Sequence, residues 1–293
     1  MKILYINSYS PDYISDGLFG GFYNILGKDF THLHNYDLMY KNPKNSSDKL
    51  INVYGRGFTH YNNLVENFND NTDIENKIRK HYFDYIIYGS ITRQSDYMDL
   101  VLQHYKKSEI CFIDGEDTSS FSKKYDPYII YFKRELYLDI NIFPFKNIYP
   151  ISVSIPKEKI TSRKNKKEKM VASIIPDKLD TYIYYNENEY YKDYQISYFG
   201  LTIKKFGWEA LRHYEILMNY CLPYFPNIEY CPEYTLTTLP KKQLIKAREI
   251  YENFSEDKYY ELLEEVFEHT KKYLTNEYSA KRILDILLKN NKL

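Results

Sequence analysis

Between Phe206 and Pro226 the chain reads FGWEALRHYEILMNYCLPYFP, a mostly apolar and aromatic run that carries Arg212 and Glu215. TIKKFG, overlapping its start, adds Thr202, Lys204, Lys205 and Gly207. On a helix starting near Trp208, Leu211, Tyr214, Leu217 or Met218, and Cys221 fall at three- and four-residue steps and mark a buried face. Arg212 and Glu215 share another face, where one reading makes them an exposed ion pair of small energy. The other reading takes in the residues ahead of the first turn. A helix amino end presents unpaired N–H groups and about half a positive charge. Lysines beside it, with a glycine that admits close backbone approach, make an anion site of diphosphate size. Glu215, further along, then accepts from the diol of a ribose. Thr202, Lys204, Lys205, Gly207, Arg212 and Glu215 together describe a site for a nucleoside-diphosphate ligand.

Candidates for proton transfer lie in the first half. Asp12 and Asp16 sit in SYSPDYISDG, and His60 in YGRGFTHY. Asp114 and Asp117 bound the DGED of EICFIDGED. A histidine suits proton removal near neutrality, and a carboxylate at a cleft competes for the same role. DGED also has the composition of an acidic metal motif, although an acidic loop lining the acceptor side is the preferred reading and no metal is expected. FKRE (Phe132–Glu135) reads either as a phosphate contact or as a salt-bridge cluster at a helix start. His60 and His213 lack the partners of a zinc site.

These residues need elements to hold them. KILYIN, FDYIIYGS and EICFIDGED are short apolar runs ending in polar or glycine-bearing turns, and GLFGGFYNIL and VLQHYKK have helical spacing. Strands alternating with helices imply a parallel sheet, whose ligands bind beyond the strand carboxyl ends. Asp12, Asp16, Gly89, Asp114 and Asp117 fall there. Prolines from Pro144 onward and the charged KEKITSRKNKKEK are read as a solvated connection. MVASIIP then restarts as a strand, NENEYYKDYQISYFG reads as helical, LPYFP as a short strand, and three amphipathic helices follow. The expected division is an N-terminal α/β domain over 1–150, a linker over 151–169, a second α/β domain over 170–275 and a last helix over 276–293 that crosses back.

The run from Tyr190 to Lys241, with KKFGWEALRHYEIL at its centre, resembles a family of bacterial and viral glycosyltransferase-like proteins. These are related to spore-protein and exostosin-like transferases of the GT-B type. CFIDGED and YFKREL fit the same pattern, so the resemblance touches both halves and about half of the chain. It implies two Rossmann-like domains facing a cleft, a helix-rich C-terminus, and a sugar nucleotide held mainly by the second domain. It further implies that Glu215 binds the donor ribose and that Arg212 or Lys205 neutralises the diphosphate. Asp12, Asp16, His60 and Asp114 become candidates to activate an acceptor hydroxyl. The chain departs from the family at Tyr220, where a glycine is typical; a left-handed tyrosine there is strained.

Composition narrows the field. The 293 residues carry 40 basic and 40 acidic side chains, so no global field draws the chain to nucleic acid or an anionic membrane. The 35 tyrosines accompany abundant Lys, Asn, Ile and Phe, as an A+T-rich coding sequence produces, and are not read as stacking platforms. Three cysteines without paired spacing suit a reduced, cytoplasmic protein, and no stretch has the length of a membrane span. A Walker loop, a G-x-G-x-x-G after a strand and a G-x-S-x-G elbow are all missing, which argues against an ATPase, a dinucleotide dehydrogenase and a serine hydrolase. The expected activity is metal-independent transfer of a sugar from a nucleotide-diphosphate donor to an acceptor hydroxyl, with no other cofactor. The alternatives are a non-catalytic nucleotide- or nucleic-acid-binding module on the same fold, and a transferase acting on modified DNA bases.

Overall fold

The computed structural model describes residues 1–34, 37–41, 50, 53–137 and 147–290. Pro144, where the connection was expected to begin, lies outside them. Six parallel strands form the larger sheet: β1 (Ile3–Ile6), β2 (Phe30–Leu33), β3 (Tyr85–Tyr88), β4 (Ile110–Asp114), β5 (Ile130–Lys133) and β6 (Ile148–Pro150), in the order β2-β1-β3-β4-β5-β6. ILYI, YIIY and ICFID are buried at every position. A sheet covered on both faces requires that, so these strands read as unbroken apolar runs. Helices α1 (Tyr13–Leu26), α2 (Ile74–Arg79) and α3 (Met98–His104) accompany this sheet. A smaller parallel sheet, β7 (Lys169–Val171), β8 (Ser197–Leu201) and β9 (Leu222–Tyr224), has β8 at its centre. With it stand α4 (Glu187–Gln195), α5 (Leu211–Met218), α6 (Lys241–Glu252), α7 (Glu256–Tyr273) and α8 (Asn276–Asn290). The architecture is α/β with a helical C-terminus.

Four sequence expectations are corrected, the last of them in part. FKRE belongs to β5 and its exit, not to a helix start, and ISYFG supplies β8 rather than continuing α4. Both runs are short and aromatic, and periodicity cannot separate a buried strand from a helix of that length. The helix expected from Trp208 begins at Leu211, because Ala210 is still extended. The connection over 151–169 is packed over its first six residues, while most of the charged run over 157–169 lies at the surface. Ile151, Val153 and Ile155 are buried, and Ile155 exchanges backbone hydrogen bonds with Leu274 and Asn276 at 2.9 and 2.8 Å. Four of its seven bases have partners within the chain: Lys159 pairs with Glu187, Lys164 with Glu264 and Lys169 with Asp193, while Lys167 is buried and donates to the carbonyls of Gln195 and Tyr220. Tyr220 does take the left-handed conformation, at φ 55°. Its hydroxyl is bonded to Glu264 and its ring packs on Phe267, contacts that hold the strained backbone in place.

One apolar cluster runs from Ile3 and Phe19 through Ile155, Ala280 and Ile283 to Phe199 and Leu222, so both sheets share a core. Helices α1 and α8 carry much of that union. A Cβ at Gly21 would lie 2.2 Å from the Asn276 carbonyl oxygen, a contact with backbone that cannot move aside. Gly21→Ala should therefore destabilise the protein by about 1–3 kcal/mol in denaturant unfolding, although alanine is the better helix former. A stabilised variant would show that the helices are not in this contact.

Candidate functional site

Loops at the carboxyl ends of β4 and β5 meet the lead-in to α5 and form a polar seam. Arg134 donates to the carbonyls of Gly115, at 3.1 Å, and of Glu209, and pairs with Asp117 at 2.6 Å. The Glu209 amide donates to Glu135 Oε1 at 3.0 Å, and the Glu209 carboxylate accepts from Tyr214 and from the Val153 amide. Gly207 is required here by close approach: a Cβ would fall 2.3 Å from Glu135 Oε1. Glu209 Oε1 and Glu135 Oε2 are buried without a partner. Burial pushes the Glu209 carboxyl up to about 7, against the Tyr214 hydrogen bond and the Arg134 charge. A proton on Glu209 adds a donor where two carboxylate oxygens otherwise have none.

The lead-in and first turn of α5 are not an open anion cradle. Trp208, Glu209 and Leu211 are buried, and the side chain packed there is a carboxylate, the charge that a helix amino end favours. Thr202 is buried and bonded to His213 Nδ1 at 2.7 Å. Because His213 Nε2 lies 2.8 Å from the Trp208 carbonyl, that nitrogen carries the ring proton and Thr202 is the donor. Thr202 thus fixes the lead-in. Lys204 and Lys205 are exposed, the first over the Trp208 ring at 5.7 Å and the second paired with Asp177 at 3.2 Å. Arg212 lies over the Tyr182 ring at 5.0 Å, half-buried, with Nε unpartnered. Among the described residues no carboxylate lies within ion-pair distance of it, so the surface pair with Glu215 does not form.

Glu215 is buried, and both of its oxygens are bonded. Thr59 Oγ1 lies 2.6 Å from Oε1 and 2.7 Å from the Tyr191 hydroxyl, Tyr190 donates to Oε2 at 2.6 Å, and Tyr191 donates to Glu187 at 2.8 Å. Three hydroxyl protons serve these four contacts, so a proton on Glu215 completes the chain. Burial pushes this carboxyl up, against the Thr59 and Tyr190 hydrogen bonds and the Arg212 charge. Thr59 holds its place at φ 71°, an outlier for a β-branched residue that costs about 1–3 kcal/mol.

Among the four expected proton-transfer residues, none is open to an acceptor. Asp12 caps α1, accepting from the amides of Ile14 and Ser15. Asp16 is fully buried and accepts from Tyr61 and the Asp12 amide; burial raises it to about 7. Asp114 forms a buried pair with Lys133 at 3.1 Å and accepts from Tyr131. His60 is buried with neither ring nitrogen partnered, and burial, then Lys159, lowers it to about 3. Accessible groups on this rim include Arg93, Glu116 and Asp117. Arg93 bonds to Glu116 at 2.9 Å and lies 3.6 Å from Asp12, and Asp117 is 49% exposed. Glu209, Thr59 and Tyr190 were not anticipated as site residues, and Arg134 and Glu135 were weighed only within FKRE, as a phosphate contact or a salt-bridge cluster. Only the KRE at the end of an apolar run hinted at a charged strand exit. Two surface hollows of about 400 and 570 Å³ lie elsewhere, the first beside Pro240, Glu265 and His269, the second beside Arg79, Tyr97 and Lys124.

No family model matches the sequence, and no curated protein matches it. Solved structures do match in fold. A glycosyltransferase from Rickettsia africae ESF-5 aligns with a TM-score of 0.52 at 10% identity, covering 99% of this chain and 98% of that one. An alpha-glucosyltransferase, solved in complex with UDP and a 13-mer DNA containing an HMU base, aligns with a TM-score of 0.50 at 10% identity, covering 98% and 99%. The structural neighbours are glycosyltransferases, and the likeness runs the length of the chain.

Glu209 also makes stability depend on pH. Its folded-state pKa of about 7 stands above the ordinary 4.5, so the folded protein holds the proton more tightly. Stability is then full below about pH 4.5 and falls as pH rises through 7, by roughly 3 kcal/mol for this group. Denaturant unfolding between pH 5 and 8 should show a smaller loss in Glu209→Gln than in the parent; equal slopes would place the carboxyl in water.

Proposed function

We propose that the chain is a nucleotide-sugar-dependent glycosyltransferase of the two-domain GT-B type, with the donor held by the C-terminal unit. The observation that carries this reading is the seam itself. Loops beyond the carboxyl ends of the larger sheet meet those of the smaller one, and ligands of parallel sheets bind at such ends. A full-length likeness in fold to two glycosyltransferases supports it.

In this mechanism Arg212 and the exposed Lys204 and Lys205 take the diphosphate, and Glu215 takes the ribose. An acceptor hydroxyl enters from the rim of Arg93, Glu116 and Asp117. Its oxygen forms the new glycosidic bond as the bond from the sugar to the phosphate oxygen breaks. The departing diphosphate keeps the electron pair, and Arg212 and the lysines neutralise its charge without a metal. Asp117, half-exposed and held by Arg134, receives the acceptor proton. Asp12 positions that rim through Arg93, while Asp16, His60 and Asp114 act on structure.

A DNA base as acceptor is the second reading, supported by the neighbour solved with UDP and HMU-containing DNA. The basic run over 157–169 speaks less for it than its sequence does, since four of its lysines have partners within the chain. A DNA acceptor would give turnover that weakens steeply with salt, and a glycan acceptor would not.

Thermal shift with UDP, GDP and ADP and their sugars tests the reading directly. A bound nucleotide at a hundred times its Kd should stabilise the parent by about 2.7 kcal/mol. Arg212→Ala should weaken that binding by about tenfold to a hundredfold, the loss of a charge-assisted hydrogen bond. Asp117→Asn should slow release of free nucleotide from the sugar donor while leaving donor affinity intact. Binding that is indifferent to Arg212 would place the nucleotide elsewhere.

A further inference from the structure

The segment over 55–60 crosses from the larger unit onto the smaller one in an unusual backbone. Gly55, Arg56, Gly57 and Thr59 all have positive φ, at 72°, 57°, 68° and 71°. Its grip on the smaller unit is polar and aromatic. Arg56 donates to the carbonyls of Tyr182 and Tyr184 and lies over the Tyr185 ring at 3.9 Å. Phe58 stacks on Tyr190 at 5.4 Å, and the Thr59 amide donates to Glu187 at 2.9 Å. Its tip places the Thr59 hydroxyl on one oxygen of Glu215 while the Tyr190 hydroxyl holds the other, each at 2.6 Å. Two hydroxyls, one on each carboxylate oxygen, are the pattern that a vicinal diol presents to the same group.

We propose that residues 55–60 are a strap occupying the ribose end of the donor site, with the Thr59 hydroxyl standing where a hydroxyl of the nucleotide diol must sit, so that a donor enters only as the strap leaves. The inference rests on the reading of Glu215 as the diol-binding carboxylate. The closed strap leaves polar groups unsatisfied: both ring nitrogens of His60, next to the tip, and Nε of Arg212, one helical turn before Glu215. Strained φ values and orphaned nitrogens make the closed form shallow. A nucleotide offers Glu215 two hydroxyls and Arg212 an anion, whereas the strap offers one hydroxyl and no charge to Arg212. That difference is what lets a ligand shift the equilibrium, since only differential affinity moves a population.

The test measures UDP affinity by calorimetry, with GDP and ADP in parallel, for the full-length parent, Thr59→Val, Thr59→Ser and Arg56→Ala. Amide exchange over 53–60 is followed with and without nucleotide. Thr59→Val keeps the shape and removes the hydroxyl, so it should bind about tenfold more tightly, and Thr59→Ser should match the parent. Arg56→Ala loosens the strap from outside the site and should also tighten binding, which guards against a Thr59 variant that folds poorly. Saturating nucleotide should speed exchange of the Thr59 amide as its bond to Glu187 breaks. Equal or weaker binding by Thr59→Val and Arg56→Ala, with exchange unchanged, overturns the strap and leaves the nucleotide site standing. No binding of any nucleotide to any form overturns the site and the strap together.

Discussion

The amide of Glu209, held by the Glu135 carboxylate across the seam, is the contact on which the arrangement of this site depends. It ties the exit of β5 to the lead-in of α5, with Arg134 gripping the carbonyl of the same residue. Everything downstream inherits its position from that tie. Gly207 must lack a side chain, His213 and Thr202 brace the lead-in from below, and α5 delivers Arg212 and Glu215 to their places. Around the tie the two sheets share one apolar core, and α8 lies along α1. Separating the units as whole bodies would expose that core. A loop is cheaper to move, which is why access to Glu215 is assigned to the strap and not to a hinge.

Buried carboxylates recur through the chain, and a tyrosine hydroxyl meets four of them, as another meets the half-buried Glu187. Tyr61 donates to Asp16, Tyr131 to Asp114, Tyr190 to Glu215, Tyr191 to Glu187 and Tyr214 to Glu209. A tyrosine brings an apolar body that suits the core and one donor at its tip, which satisfies an acceptor where no water reaches. The tyrosine-rich composition, whatever its origin, therefore has a structural use that counting residues did not reveal. The charge balance has a similar explanation. Equal numbers of acids and bases leave no global field, and three of the seven bases over 157–169 are matched by Glu187, Asp193 and Glu264.

Several strands were legible because their residues announced them: ILYI, YIIY and ICFID are too apolar for any place but a covered parallel sheet. The amphipathic helices of the C-terminal third were equally plain, and so was the strain at Tyr220. β5 and β8 were not, because FKRE and ISYFG each mix charge or aromatic residues over too few positions for a period to emerge. The chemical groups of the site were legible by type alone. Aspartates at strand ends and an acid and a base on one helix were visible, but nothing local distinguished Asp12 as a cap, Asp114 as half of a buried pair, or Asp117 as the exposed one.

What the sequence determined by itself is the alternation of strand and helix, the parallel sense that follows from it, and the placing of polar residues at strand ends. These rest on local periodicity and on short-range backbone preference. What only the tertiary structure decided is which of those polar residues reach solvent and which reach each other. Glu209 and Glu135 are 74 positions apart, and Thr59 and Glu215 are 156 apart, so no window of sequence contains either contact. Burial, and with it the protonation of a carboxyl, is a property of what packs over a residue, and that is set only when distant segments meet.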